Sequence, residues 1–329
     1  MLTKRQNLME TIKGGNPDRF VNQYEFMDLI MEIPMIADAF CPYGTEHKNG
    51  WGITYRWPEG QLGQFPVHDK EHIVLKDDDV TEWRKYVKAP VIETSDEAWA
   101  AAVAHANSVD RKEQFVTGVY FAGVFEMCHN LMGMEGALMS LYEEPEAMHE
   151  LIDYLTEYEL EYARVMIDKI HPDALFHHDD WGSQKNSFVS PEMFKEFFLP
   201  AYKKIYGFYK ANGVELIVHH GDSYAANLVP YMIEMGIDIW QGVMTSNNTP
   251  ELIKKYGKQI SFMGDIDSGV VDFPTWTPEI VAREVERACK NCGKLYFIPN
   301  LTQGLNLSSF PGVYECATEA IDKISKEMF

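Results

Sequence analysis

Two short segments hold most of the side chains suited to acid–base or metal chemistry. Ile217-Val218-His219-His220-Gly221-Asp222 ends an apolar run in two imidazoles, a glycine and a carboxylate, and Ala174-Leu175-Phe176 runs into His177-His178-Asp179-Asp180 in the same way. Imidazole titrates near neutrality, and a carboxyl group beside another carboxylate keeps its proton to higher pH. Such groups can hand a proton to a departing oxygen or hold a divalent cation. His220, Asp222, Asp179 and Asp180 are the first catalytic candidates, with His178 and Asp265 behind them; His220 and Asp222 are also the candidate metal ligands. One structural histidine and a helix-capping aspartate would account for either segment alone. The recurrence points to a site, because buried carboxylates beside imidazoles are costly unless paired or used.

The elements that must position these groups alternate along the chain. Strands are expected at 20–24, 115–120, 174–176, 216–218, 237–240, 260–263 and 294–298. Helices are expected between them, at 2–14, 95–110, 133–141, 146–169, 191–211, 227–235, 249–256 and 277–290, with a last one closing the chain. Ser190-Pro191-Glu192, Thr249-Pro250-Glu251 and Thr277-Pro278-Glu279 are helix starts: a hydroxyl cap, a proline in the first turn and an acid facing the dipole. Alternation without a Gly-rich dinucleotide or phosphate loop predicts an α/β (β/α)8 TIM-type barrel, as a single domain over 1–329, with the eighth strand not evident. In a barrel the loops after the strands share one face. They gather the histidine segments with Tyr24, Tyr120, Gln241 and Asn300 to Gln303. Tyr24, Tyr120, Phe125, Trp240, Met244 and Gln303 are the candidate substrate-binding residues, and Phe121 and Met127 add to a flat apolar slot. Residues 40–90, rich in glycine and aromatics and carrying Asp77-Asp78-Asp79, read as an irregular or hairpin insertion placed to cover a site.

The 329 residues carry 50 acidic against 29 basic side chains, a net charge of −21. That argues against nucleic acid, anionic membranes and polyanionic substrates. The polar start Met1-Leu2-Thr3-Lys4-Arg5-Gln6 lacks a signal-peptide core, and no apolar run approaches the ~20 residues that span a bilayer, so a cytoplasmic protein is expected. The cysteines, Cys41, Cys128, Cys289, Cys292 and Cys316, are odd in number and scattered, which suggests reduced thiols, and the lone Cys289/Cys292 pair reads as structural. Glu135, Glu150 and His171 look like zinc ligands but fail on geometry. A continuous helix over 146–169 sets Glu150 and His171 roughly 30 Å apart, against a ligand radius of ~2 Å.

Over nearly its whole length the chain resembles the uroporphyrinogen decarboxylase superfamily. The residues that carry this are Asn16-Pro17-Asp18-Arg19, Gly133-Met134-Glu135 before Tyr142-Glu143-Glu144-Pro145-Glu146, Asp179-Asp180-Trp181-Gly182 with Ser190-Pro191-Glu192-Met193-Phe194, and His220-x-Asp222 with Glu234-Met235-Gly236-Ile237-Asp238. The resemblance implies the (β/α)8 barrel with its site at the strand C-termini. The decarboxylase's N-terminal arginine pair, which holds substrate carboxylates, has no counterpart in Phe20 to Phe26. The corrinoid-dependent methyltransferases are the nearer likeness. Those acting on thiols carry a His-x-Cys zinc motif and a later cysteine. His220 matches the histidine, while Asp222 and Gln303 replace the two thiolates. That departure weakens the case for zinc and for thiol methylation.

The expectation is therefore the first methyltransferase of an O-demethylase system. It takes methyl from a small aromatic methyl ether of the veratrole or guaiacol type and passes it to the cob(I)alamin of a separate corrinoid protein. The cofactor is thus a partner's cobalamin, with Zn2+ as an added option and a homodimer left open. A phenol's pKa of ~10 makes phenolate a poor leaving group without help. His220 and Asp222, with Asp179 and Asp180, are expected to supply the proton, Tyr24 and Tyr120 to orient the ring, and a cation at His220/Asp222 to be the Lewis-acid alternative. A decarboxylase of a smaller acid, a methylcobalamin:thiol methyltransferase and a non-catalytic corrinoid-binding role are the competing readings.

Overall fold

The computed structural model describes residues 1–61 and 63–329, with the side chains of all of these except Asp77 and Asp78. Among the described residues ten strands follow in chain order: β1 (Met27–Leu29), β2 (Glu46–Lys48), β3 (Thr54–Arg56), β4 (Phe65–Pro66), β5 (Phe115–Phe121), β6 (Ala174–His178), β7 (Leu216–His220), β8 (Ile239–Val243), β9 (Ser261–Ile266) and β10 (Phe297–Leu301). Seven of them form one sheet in the order β1-β5-β6-β7-β8-β9-β10, and its neighbouring pairs are all parallel. β5, β7, β8, β9 and β10 are buried almost along their whole length. That is why they read as near-continuous apolar runs rather than alternating ones.

The curled sheet with helices outside it is a TIM-type barrel, built here from seven strands among the described residues. The expected first strand at 20–24 does not form. Gln23 takes a positive φ of 50°, and the chain turns before β1 begins at Met27. These residues fill the seam between β1 and β10 instead. The Gln23 N–H donates to the Pro299 carbonyl at 3.3 Å. The side chains of Asn22 and Gln23 are held by Thr318, on the closing helix Val313–Met328.

Helix positions follow their caps. Thr3 makes a capping box over Lys4–Lys13, Ser190 caps Pro191–Phe197 and Thr277 caps Pro278–Cys292. The helix expected over 191–211 is two, Pro191–Phe197 and Leu199–Ala211, separated at Phe198 ahead of Pro200. Proline has no N–H for the helical ladder, so a break there is cheap. Pro145–Ile170 is one unbroken helix of 26 residues, and Glu150 on it pairs with Arg84. Glu135, Glu150 and His171 therefore share no ion.

The 40–90 insertion contains the antiparallel sheet β2-β3-β4. It is tied to the helix Val124–Met132: Asn130 Nδ2 donates to the Tyr55 hydroxyl at 3.1 Å, and the N–H groups of Val74 and Leu75 donate to the Leu131 carbonyl. Trp51 packs edge-on against Tyr158 of the long helix, with ring centroids 4.8 Å apart. Of Asp77-Asp78-Asp79, the first two side chains lie outside the described residues. No helix among the described residues is long and apolar enough to cross a membrane.

Candidate active site

The parallel register of β6 and β7 places their terminal histidines in two pairs: His177 opposite His219 and His178 opposite His220. Successive strand side chains point to opposite faces, so the pairs do different things. His177 and His219 face the helices. His177 Nε2 lies 2.8 Å from Glu159 Oε1, and the Tyr206 hydroxyl bridges the Nδ1 atoms of His177 at 3.1 Å and His219 at 2.9 Å. His178 and His220 stack at 4.5 Å between ring centroids, and both border a cavity of about 670 Å³.

Aromatic and methionine side chains dominate the cavity wall. Tyr24, Tyr120, Phe121 and Phe176 come from the barrel, Met127 from the helix after β5, and Trp51, Tyr55 and Trp57 from the insertion. The insertion thus covers the site, as its composition suggests. Glu126, His178 and His220 are among the polar side chains that border the cavity.

The polar groups at and beside this part of the cavity are each held by a neighbour. His178 Nδ1–H donates to Glu126 Oε2 at 2.8 Å, and His220 Nδ1–H donates to Gln241 Oε1. Asp180 Oδ1 accepts the backbone N–H of Asp222 at 2.9 Å. Burial alone would lower the His178 pKa, but the Glu126 carboxylate, with Asp180 and Asp222 beyond it, lifts it to about 10. Burial and the charge on His178 press His220 down to about 3. Burial raises Asp180, with Glu126 adding to the rise, and burial raises Asp222, with Asp180 adding to it. His178 is thus the imidazolium of the pair and His220 the neutral ring.

Several expected residues are placed elsewhere. Asp179 is fully buried, and its carboxylate accepts the N–H groups of Phe125 at 3.0 Å and Glu126 at 2.9 Å, and the Tyr202 hydroxyl. It is a structural staple at the start of the helix Val124–Met132, where anions are favoured. Phe125 is core, stacked on Phe188 at 5.9 Å and edge-on to Phe198 at 5.3 Å. Asp265 points away from the mouth, into an ion pair with Arg287 at 3.0 Å on the helix Pro278–Cys292. Trp240 shares the register of His219 and Phe262, is fully buried, and gives its indole N–H to the Gly221 carbonyl at 2.9 Å. Met244 stands half-buried past the end of β8, outside the cavity wall. Tyr24, Tyr120 and Gln303 do line the cavity.

The metal pair His220/Asp222 needs the same correction. The zinc set implied by the resemblance would use His220, Asp222 and Gln303, and it does not fit: Gln303 is an exposed amide, and Asp222 is outside the group of side chains whose ligand atoms converge. That group is His178, Asp180 and His220, with ligand atoms within 4.8 Å of one another.

Glu126 is the charged cavity-lining residue, paired with His178, that is not among the candidates read from the sequence. The segment 123–126 reads as a loop, yet Gly123 caps a helix that starts at Val124. A glycine is needed at 123. A Cβ there would lie 2.4 Å from Asp179 Oδ2 and 2.6 Å from His177 Cε1. Gly123→Ala is expected to cost about 1–3 kcal/mol by overpacking, read as a lower urea midpoint.

The match to the model of the family "Uroporphyrinogen decarboxylase (URO-D)" covers residues 51–324. A uroporphyrinogen decarboxylase of Synechococcus sp. (strain CC9605) is 24% identical over 188 residues, 57% of this chain and 50% of that protein. A methylated-thiol–coenzyme M methyltransferase of Methanosarcina mazei is 29% identical over 161 residues, 48% of this chain and 40% of that protein. The matches span half or less of the length of these curated relatives. In fold, a solved methyltransferase from Methanosarcina mazei aligns with a TM-score of 0.65 at 13% identity, over 98% of this chain and 99% of that one. With the barrel, the strand-end histidines and a family match over most of its length, the chain belongs to the uroporphyrinogen decarboxylase family.

Proposed function

We propose that this protein moves a methyl group from a small aromatic methyl ether to the cob(I)alamin of a separate corrinoid protein. The observation that carries this reading is the cavity itself, a slot of about 670 Å³ walled largely by aromatics and methionine, with His178, Glu126 and His220 on its wall. An apolar chamber with a few convergent polar groups suits a flat, mostly apolar ligand with one reacting polar atom. Among the described residues the wall carries no lysine or arginine, which speaks against a cationic clamp for the several carboxylates of a tetrapyrrole.

The corrinoid partner supplies the nucleophile. This chain's task is the leaving group. As the methyl–oxygen bond breaks, its electron pair stays on oxygen, and the phenolate takes up a proton to leave as the phenol. His178, oriented by Glu126, presents its other ring nitrogen at the wall of the slot. A hydrogen bond from that N–H to the ether oxygen strengthens as negative charge develops there, which is the condition for lowering a barrier. Neutral His220, fixed by Gln241, packs beside it.

The test is spectroscopic. Reduced corrinoid protein is mixed with this protein and a panel of methoxyarenes and methyl thiols. Conversion to the methylated corrinoid with a methoxyarene supports the reading; conversion with thiols alone overturns it. The slot makes a second prediction. Trp51→Ala removes an aromatic wall worth about 0.5–1.5 kcal/mol, so KM for the arene is expected to rise about 2- to 10-fold while kcat changes little.

A further inference from the structure

We infer that Tyr24, Gln241 and Asn300 form a polar subsite that takes a free hydroxyl on the arene and so sets which methoxyarenes this protein prefers. The subsite rests on the methoxyarene reading of the slot. It separates guaiacol, which carries such a hydroxyl, from veratrole, which does not.

All three side chains are more than nine-tenths buried: Tyr24 is 7% exposed, Gln241 and Asn300 0%. Side chains buried to this degree normally have their polar atoms hydrogen-bonded. Here Tyr24 Oη, Gln241 Nε2 and Asn300 Oδ1 have no partner among the described residues. The other end of each amide is engaged. Gln241 Oε1 accepts the Nδ1–H of His220, and Asn300 Nδ2 donates to the Leu301 carbonyl at 2.8 Å. The three also converge. A Cβ built on Gly304 would lie 2.6 Å from Tyr24 Oη and 3.4 Å from Gln241 Nε2, so the phenol and the amide face the same side of that glycine. Asn300 is near enough to Tyr24 to stabilise its ionised hydroxyl. Tyr24 borders the cavity, as does the His220 ring that Gln241 anchors, so the cluster meets the wall of the slot.

Donor and acceptor types select the group that fits. Gln241 Nε2 only donates, Asn300 Oδ1 only accepts, and the Tyr24 hydroxyl does either. A ligand hydroxyl accepts and donates, so it can meet all three. An ether oxygen or a carboxylate leaves Asn300 Oδ1 without a donor, and an ammonium leaves Gln241 Nε2 without an acceptor. Water has the same hydrogen-bonding pattern as a hydroxyl, so the informative ligands are those that differ in the hydroxyl alone.

Isothermal titration calorimetry on the full chain, without corrinoid protein, compares anisole, veratrole and the isomeric methoxyphenols. At least one methoxyphenol is expected to bind about 10- to 100-fold more tightly than anisole and veratrole, the gain from pairing buried groups that the other ligands leave unmatched. Tyr24→Phe removes the hydroxyl. Gln241→Glu keeps an oxygen for the His220 N–H and loses the amide donor. Each is expected to bring the preference to within a few-fold of none, with circular dichroism confirming the fold. Equal affinities in the parent overturn the subsite, and so does a preference that survives both substitutions. No binding by any arene overturns the subsite and the methoxyarene reading together. A hydroxyl preference without methyl transfer to cob(I)alamin keeps the subsite and removes that reading.

Discussion

Replacing His178 and His220 together by alanine is expected to lower kcat for methyl transfer about 10²- to 10⁴-fold, the range for removing a positioned acid. KM for the arene is expected to stay within a few-fold. The two stacked rings border the slot, and much of the rest of its wall is aromatic. An interaction used only as charge develops on oxygen shows in kcat, and uniform binding shows in KM. Single-turnover rates against reduced corrinoid protein give both quantities. A double variant that turns over normally would remove this pair from the chemistry. Glu126→Gln keeps the size of the side chain but no longer anchors His178 with a charge, so a smaller loss of about 10- to 100-fold is expected from it. Its pH profile should move as well. Glu126 holds the His178 pKa above the ordinary histidine value, so the protonated ring should be lost at lower pH in the variant.

The second large effect is on stability. Asp179→Ala strips one buried carboxylate from the Phe125 and Glu126 N–H groups and from the Tyr202 hydroxyl. A buried polar group left without its partner costs about 1–3 kcal/mol. Three such groups make a loss of about 3 kcal/mol or more the expected result. Urea denaturation followed by circular dichroism measures it. A variant as stable as the parent but without turnover would return Asp179 to the list of catalytic residues, from which its hydrogen bonds now remove it.

Two regularities made much of the site legible in advance. Apolar runs ending in His-His and Asp marked the C-terminal ends of β6 and β7, and barrel geometry puts such ends at one mouth. The parity of side chains along a strand sorts the rest. His219, Trp240 and Phe262 share a register level and face the helices, while His220 faces the cavity, so Trp240 belonged to the core from the start. Other features were hidden for physical reasons. Phe20 to Tyr24 has strand-like composition, but Asn22 and Gln23 spend their side chains on the last helix, and Gln23 adopts a left-handed turn. Those partners lie some 300 residues away in the chain, beyond any local pattern. Asp265 looked like a strand-end catalytic acid, and only the packing of Pro278–Cys292 shows Arg287 bound to it. Glu126 was concealed by Gly123, which reads as a loop residue and in fact begins a helix.

The central claim is that this mouth breaks a methyl–oxygen bond in an arene. It is tested most directly by isotope tracing. A ¹³C-methyl-labelled methoxyarene is incubated with this protein and reduced corrinoid protein, and the label is followed by NMR. The account predicts that the methoxy signal falls as a corrinoid-bound methyl signal rises, with one demethylated phenol formed for each methyl moved. A label that stays on oxygen, together with carbon dioxide released from a carboxylated substrate by the same protein, would contradict it.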